Sequence, residues 1–111
     1  MIITTENIDQ LAWDKMDGLL PCIVQDAQSG TVQMQGHMDK AAITHTLETG
    51  NVTFFSRSKQ RLWTKGETSG NVLALQHISA DCDLDSILVL SQISRGECYC
   101  WTIYYILVFT W

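Results

Sequence analysis

Residues 19–38, LLPCIVQDAQSGTVQMQGHM, carry the pattern that decides the fold. Leu19 to Ala27 reads as a strand, Gln28-Ser29-Gly30 supplies a turn, and Val32, Met34, Gly36 and Met38 then alternate with Gln33, Gln35 and His37. Successive side chains of a strand point to opposite faces, so two such runs joined by a short loop containing glycine predict a β-hairpin. Asp39 follows as the N-cap of a helix whose apolar Ala42, Ile43 and Leu47 share one face, and Gly50 is placed to end it. Upstream, Thr4 or Thr5 can cap a short first helix with Ile8, Leu11 and Ala12 on one side, broken by Asp17-Gly18. Downstream, Val52 to Phe55, Val72 to Ile78 and Ile87 to Leu90 read as strands. The expectation is α+β: mostly antiparallel β with two short helices, in a small single domain completed by homodimerisation.

Composition narrows the function. With 111 residues and 46% hydrophobic content the chain can bury one core. A net charge of -5 argues against nucleic acid as a partner, because phosphate-backbone binders carry an excess of Lys and Arg. The N-terminal MIITTENIDQ has neither the basic segment nor the apolar core of a secretory signal, which predicts a cytoplasmic protein. In a reducing compartment Cys22, Cys82, Cys98 and Cys100 are expected as free thiols or metal ligands.

Two segments carry chemistry. Residues 56–71, SRSKQRLWTKGETSGN, hold four of the chain's seven cations among five hydroxyls and two glycines. Arg57 and Arg61 can fork onto phosphate oxygens, Lys65 can add a point charge, and Gly66 and Gly70 let backbone N–H groups approach an anion. A solvated polar loop is the plainer alternative. Residues 81–85, DCDLD, place carboxylates at every second position; if extended, the three acids face one way and Cys82 the other. Carboxylates so close repel one another, and a hard cation such as Mg²⁺ relieves that repulsion; a solvent-exposed acidic turn is the plainer alternative. An EF-hand loop would need glycine where Ser86 stands and a bidentate glutamate where Gln92 stands. His37, His45 and His77 form no ligand motif and are read as structural, and no GxSxG, P-loop or GxGxxG is present.

The last fourteen residues, CYCWTIYYILVFTW, contain no charge and all three tyrosines. The run is shorter than the roughly 20 apolar residues a membrane helix needs, so no membrane partner is expected and a strand is the better reading.

Taken in order, LAWDKMDGLLPCIVQDAQSGTVQMQGHM (11–38), HTLETGNVTFFSRSKQRLWTKGETSGNV (45–72) and ADCDLDSILVL (80–90) resemble the phosphoribosyl-AMP cyclohydrolase family, most specifically through FFSRSKQRLWTKGETSGN followed by DCDLD. The resemblance implies a hydrolase of histidine biosynthesis that opens the adenine ring of N1-(5-phosphoribosyl)-AMP at the N1–C6 bond. It implies Mg²⁺ on Asp81, Asp83 and Asp85, zinc on Cys82 with Cys98 matched as a second ligand, and a homodimer across which the zinc site is built. It also implies substrate contacts from Arg57, Ser58, Arg61, Trp63, Lys65, Glu67, Thr68 and Ser69. The family's later C-H-x-G-x-x-S-C segment is not reproduced: Tyr99 stands where the catalytic histidine belongs, Trp101 at the glycine and Tyr105 at the final cysteine. Residues 1–90 are accordingly read as the cyclohydrolase domain and 91–111 as an atypical apolar tail that replaces the zinc-ligand segment through a shifted frame or truncation. The alternative function is an inactive relict that keeps the phosphate loop and Mg²⁺ site but lacks a complete zinc centre. A small redox or metal-storage protein using Cys98 and Cys100 ranks last.

Overall fold

The computed structural model describes residues 1–67, 70 and 72–93. The hairpin forms as expected: β1 (Leu20–Asp26) runs antiparallel to β2 (Val32–Met38), with a bulge at Val24/Gln25. Helix α1 (Lys40–Thr49) follows; the Asp39 side chain accepts the Ala42 N–H at 2.7 Å, and Gly50 closes the helix in the left-handed conformation at φ 77°. β3 (Thr53–Ser56) and β4 (Arg61–Thr64) make a second, two-stranded antiparallel sheet. β5 (Leu73–Ala80) and β6 (Ile87–Ile93) complete a four-stranded sheet in the order β2-β1-β6-β5. Within it β1 and β6 pair in parallel, with Ile23 opposite Leu88, so the sheet is mixed while every other strand pair is antiparallel.

The core lies between the four-stranded sheet on one side and α1 with β3 on the other. Leu20, Cys22 and Val24 of β1, Met34 and Met38 of β2, Ile43 of α1, Phe54 of β3 and Val89 of β6 are all buried in it. Two contacts fix how the layers meet. The Thr46 hydroxyl, buried in α1, donates to Ala42 O and accepts the Thr53 N–H at 3.0 Å, tying helix to strand. At Gly36 a Cβ atom would sit 2.8 Å from Phe54 Cδ1, so the absence of a side chain is what lets β2 approach the Phe54 ring.

The predicted first helix is replaced by a single 3-10 turn at Ile8–Gln10. The cause is local hydrogen bonding. The Asn7 side chain accepts from Thr4 N–H and donates to Ile2 O, which holds the preceding chain in a turn. The Ile8 carbonyl, which helix continuation would pair with Ala12 N–H, instead accepts the Trp13 indole N–H, while Ala12 N–H goes to Leu84 O at 2.8 Å. Asp17 and Gly18 do reverse the chain, both at positive φ (55° and 80°). The segment 56–71 also differs from the loop expected: Arg61–Thr64 is a strand. A short β-forming run lay hidden among cations, and pairing with Thr53–Ser56 brings it out.

Candidate functional site

Two polar clusters stand out from this scaffold, one acidic and one basic. The acidic cluster follows β5. The chain does not stay extended through residues 81–85 but folds into a turn: Leu84 N–H donates to Asp81 O, Asp85 N–H to an Asp81 carboxylate oxygen at 3.1 Å, and Leu84 takes φ 61°. The alternating-face geometry expected from spacing is therefore replaced by a turn, because Asp81 caps the backbone N–H groups that a ladder would otherwise use. The turn nonetheless gathers the acids. One oxygen each from Asp81, Asp83 and Asp85 lies within 4.8 Å of the others. Cys82 is exposed and free beside them.

A cation from elsewhere in the chain already faces this cluster. Lys15 Nζ lies 2.7 Å from Asp85 Oδ2. The hydrogen bond to Asp85 raises the Lys15 pKa above its ordinary value, with smaller contributions from Asp83 and Asp81. The same bond holds the Asp85 carboxyl below the usual carboxylate range. Sequence reading missed Lys15, since seventy positions separate it from its partner and no spacing signals the pair.

The basic cluster is the β3–β4 hairpin. Its tip is closed by Gln60 N–H to Ser56 O and by Gln60 Nε2 to Arg57 O, with Gln60 at φ 54°. Arg57, Ser58 and Lys59 are exposed there. Arg61 is also exposed but engaged: Nη1 donates to Leu62 O and Nη2 meets Glu67 Oε1 at 3.0 Å. Trp63 stacks on Phe54 with ring centroids 6.1 Å apart, which anchors the hairpin to the core. Lys65 is only 2% exposed, and its backbone N–H donates to Val52 O. Thr68, Ser69, Cys98 and Tyr99 lie outside the described residues.

His37 has more to do with this cluster than its strand position suggested. Its Nδ1 is buried without a hydrogen-bond partner, and its pKa falls below the ordinary value through burial first and the nearby Arg57 charge second. His45 lines a shallow groove with Lys40, Thr44 and Glu48 of α1 and Leu62 of β4. Among the described residues no helix is long and apolar enough to cross a membrane.

Three converging carboxylates, two exposed and one half-buried, match the hard, oxygen-rich donor set that divalent cations such as Mg²⁺ take, and Lys15 pairs with one of them. Fold and site together define a small α+β domain that gathers a carboxylate triad able to hold a metal ion and a separate basic hairpin. The chain belongs to the phosphoribosyl-AMP cyclohydrolase family, which it matches over residues 34–104. It is 54% identical over 103 residues to the histidine biosynthesis bifunctional protein HisIE of Shewanella oneidensis, covering 88% of this chain and 49% of that relative. The proteins of the same name from Vibrio cholerae and Escherichia coli K12 are 55% identical over 95 residues and 53% identical over 98. The first alignment covers 86% of this chain and 45% of the relative, the second 88% and 48%. The chain thus spans about half the length of the curated relatives it matches.

Proposed function

We propose that this domain is built to open the adenine ring of N1-(5-phosphoribosyl)-AMP in histidine biosynthesis, as a phosphoribosyl-AMP cyclohydrolase. The observation that carries the reading is the family match over residues 34–104, which includes the hairpin sequence and the DCDLD turn. In the reaction water adds to C6, the C6–N1 bond breaks, C6 becomes a carbonyl carbon and N1 takes up a proton. A metal ion held by this chain would supply Lewis acidity for activating that water and charge to attract the substrate phosphates. Asp81, Asp83 and Asp85 are the residues to hold Mg²⁺, and Cys82 with Cys98 the residues to hold zinc. Arg57 and Ser58 at the hairpin tip present donors to one substrate phosphate. Arg61 reaches a phosphate by leaving Glu67, and Trp63, Lys65, Glu67, Thr68 and Ser69 are the further residues this reading assigns to substrate contact. A homodimer in the cytoplasm is the assembly this reading implies.

Residues 91–111 temper the activity. Tyr99 replaces the histidine expected to move a proton, a role typically worth about 10² to 10⁴ in rate, and Tyr105 replaces a zinc-binding thiol. We therefore read residues 1–90 as a competent binding domain and residues 91–111 as a replaced zinc segment, so that the chain binds nucleotide and Mg²⁺ but turns over weakly. These departures are also what favour the relict as the second reading. The test is ring opening of phosphoribosyl-AMP, followed by ultraviolet absorbance with zinc and Mg²⁺ present. A chain carrying a C-H-x-G-x-x-S-C ending after Leu90 should open the ring while leaving AMP untouched; failure of that chain to act on phosphoribosyl-AMP overturns the assignment.

A further inference from the structure

We propose that Lys15 is the resident counter-ion of the carboxylate triad, holding the turn assembled when no metal is bound and competing with a divalent cation for Asp85. The inference rests on the metal reading of the triad given above. Three carboxylates with oxygens inside 4.8 Å repel one another when ionised, and a cation beside them relieves that repulsion. Lys15 provides it at 2.7 Å from Asp85 Oδ2, and Asp83 and Asp81 also act on its ammonium. The position of Lys15 is built into the fold. Ala12 N–H is bonded to Leu84 O inside the acidic turn, Trp13 and Leu84 both pack against the core, and Gly18 N–H returns to Trp13 O across the left-handed Asp17-Gly18 reversal. The Lys15 side chain itself is 58% exposed, so it can swing off Asp85 into water at little cost, whereas Asp85 is 19% exposed and stays in place.

A small divalent cation binds carboxylate oxygen at about 2.0–2.1 Å, so it and an ammonium on one carboxylate repel. Metal binding therefore weakens the Lys15–Asp85 bond, and Lys15 weakens metal binding. This makes the lysine a device that tunes cation affinity and keeps the site preassembled.

Mg²⁺ titrated calorimetrically into the full chain and into its Lys15→Gln and Lys15→Arg variants tests this. Lys15→Gln should bind Mg²⁺ about three- to tenfold more tightly, the effect of removing one nearby charge in a largely aqueous setting, and Lys15→Arg should stay close to the parent. In EDTA, Lys15→Gln should melt below the parent, and saturating Mg²⁺ should close that gap. The Lys15 ammonium resonance, assigned by its loss in Lys15→Arg, should shift with the calorimetric midpoint. If Lys15→Gln binds Mg²⁺ no more tightly than the parent, or the resonance stays put at saturation, the competition is refuted while the metal site stands. If the parent chain and Lys15→Gln both bind no Mg²⁺, the metal reading falls and this inference with it.

Discussion

The acidic turn and the basic hairpin are both dense in charge along the sequence, yet they use that charge in opposite ways. Residues 81–85 gather three carboxylates to a common point and draw a cation from seventy positions away. Residues 56–67 disperse theirs: Arg57 sits at the exposed tip, Arg61 is bound to Glu67, and Lys65 is buried behind the strand. Charge density in a sequence thus says that a region is polar, but only backbone conformation decides whether the charges act together. A tight turn converges side chains because it folds the backbone around one capping carboxylate; this hairpin spreads them along its length, with Arg57 in the loop, Arg61 at the start of β4 and Lys65 just past its end.

Breaking the convergent cluster should have the largest effect. Asp83→Asn replaces a charged carboxylate with a neutral amide at the cation position, and should weaken Mg²⁺ binding by roughly tenfold or more. Calorimetric titration checks this, and unchanged affinity together with unchanged thermal stability would remove the triad from the metal assignment. Dispersal predicts unequal arginines. Arg57→Ala should weaken binding of a phosphorylated nucleotide by about tenfold at low salt, the range of one charge-assisted hydrogen bond, whereas Arg61→Ala should cost severalfold less because Arg61 must first give up Glu67. Equal losses, read by fluorescence of Trp63 or by calorimetry, would mean the Arg61–Glu67 pair does not limit Arg61.

The smallest effect lies in the pH dependence of stability. Asp85 has its folded pKa below the ordinary 3.8, so its contribution is present above that value and is lost as pH falls through the lower folded one. Lys15 has its folded pKa above 10.5, so its contribution is present below 10.5 and lost as pH rises beyond it. The pair is therefore intact across the neutral range. Lys15→Gln should lower the melting temperature at pH 7, and should lower it less at a pH below the depressed folded pKa of Asp85, where that carboxyl is protonated. A loss of equal size at both pH values would show that Lys15 acts through its aliphatic stem and not its charge.

Much of the fold was legible because it is written in short-range signals. Gly30 and the alternation after it announce the β1–β2 hairpin, and Asp39 and Gly50 bracket α1. Failures came where a side chain took over a backbone group or where partners are far apart. Asn7 and Trp13 divert the hydrogen bonds a first helix would need, and nothing in the spacing reveals that. The parallel pairing of β1 with β6, which places Cys22 beside Ile87, joins distant segments that carry no mark of each other. In the site, the DCDLD composition suggested a cation, but an extended segment was the wrong route to it: the left-handed Leu84 and the Asp81 cap make the cluster. The basic segment was legible as anion-binding chemistry in outline; the pairing of Arg61 with Glu67 and the burial of Lys65 were not, since no spacing in the segment marks either.

We propose that residues 1–90 keep a cyclohydrolase binding domain while residues 91–111 leave it without a complete zinc centre. The most direct measurement is zinc per subunit and phosphoribosyl-AMP turnover, determined side by side for the full chain and for the chain with a C-H-x-G-x-x-S-C ending grafted after Leu90. The account predicts one zinc per subunit only in the grafted chain and turnover at least about 100-fold faster there. One zinc per subunit and equal turnover in the unmodified chain would contradict it, and would place Cys98 and Cys100 among the ligands of a working site.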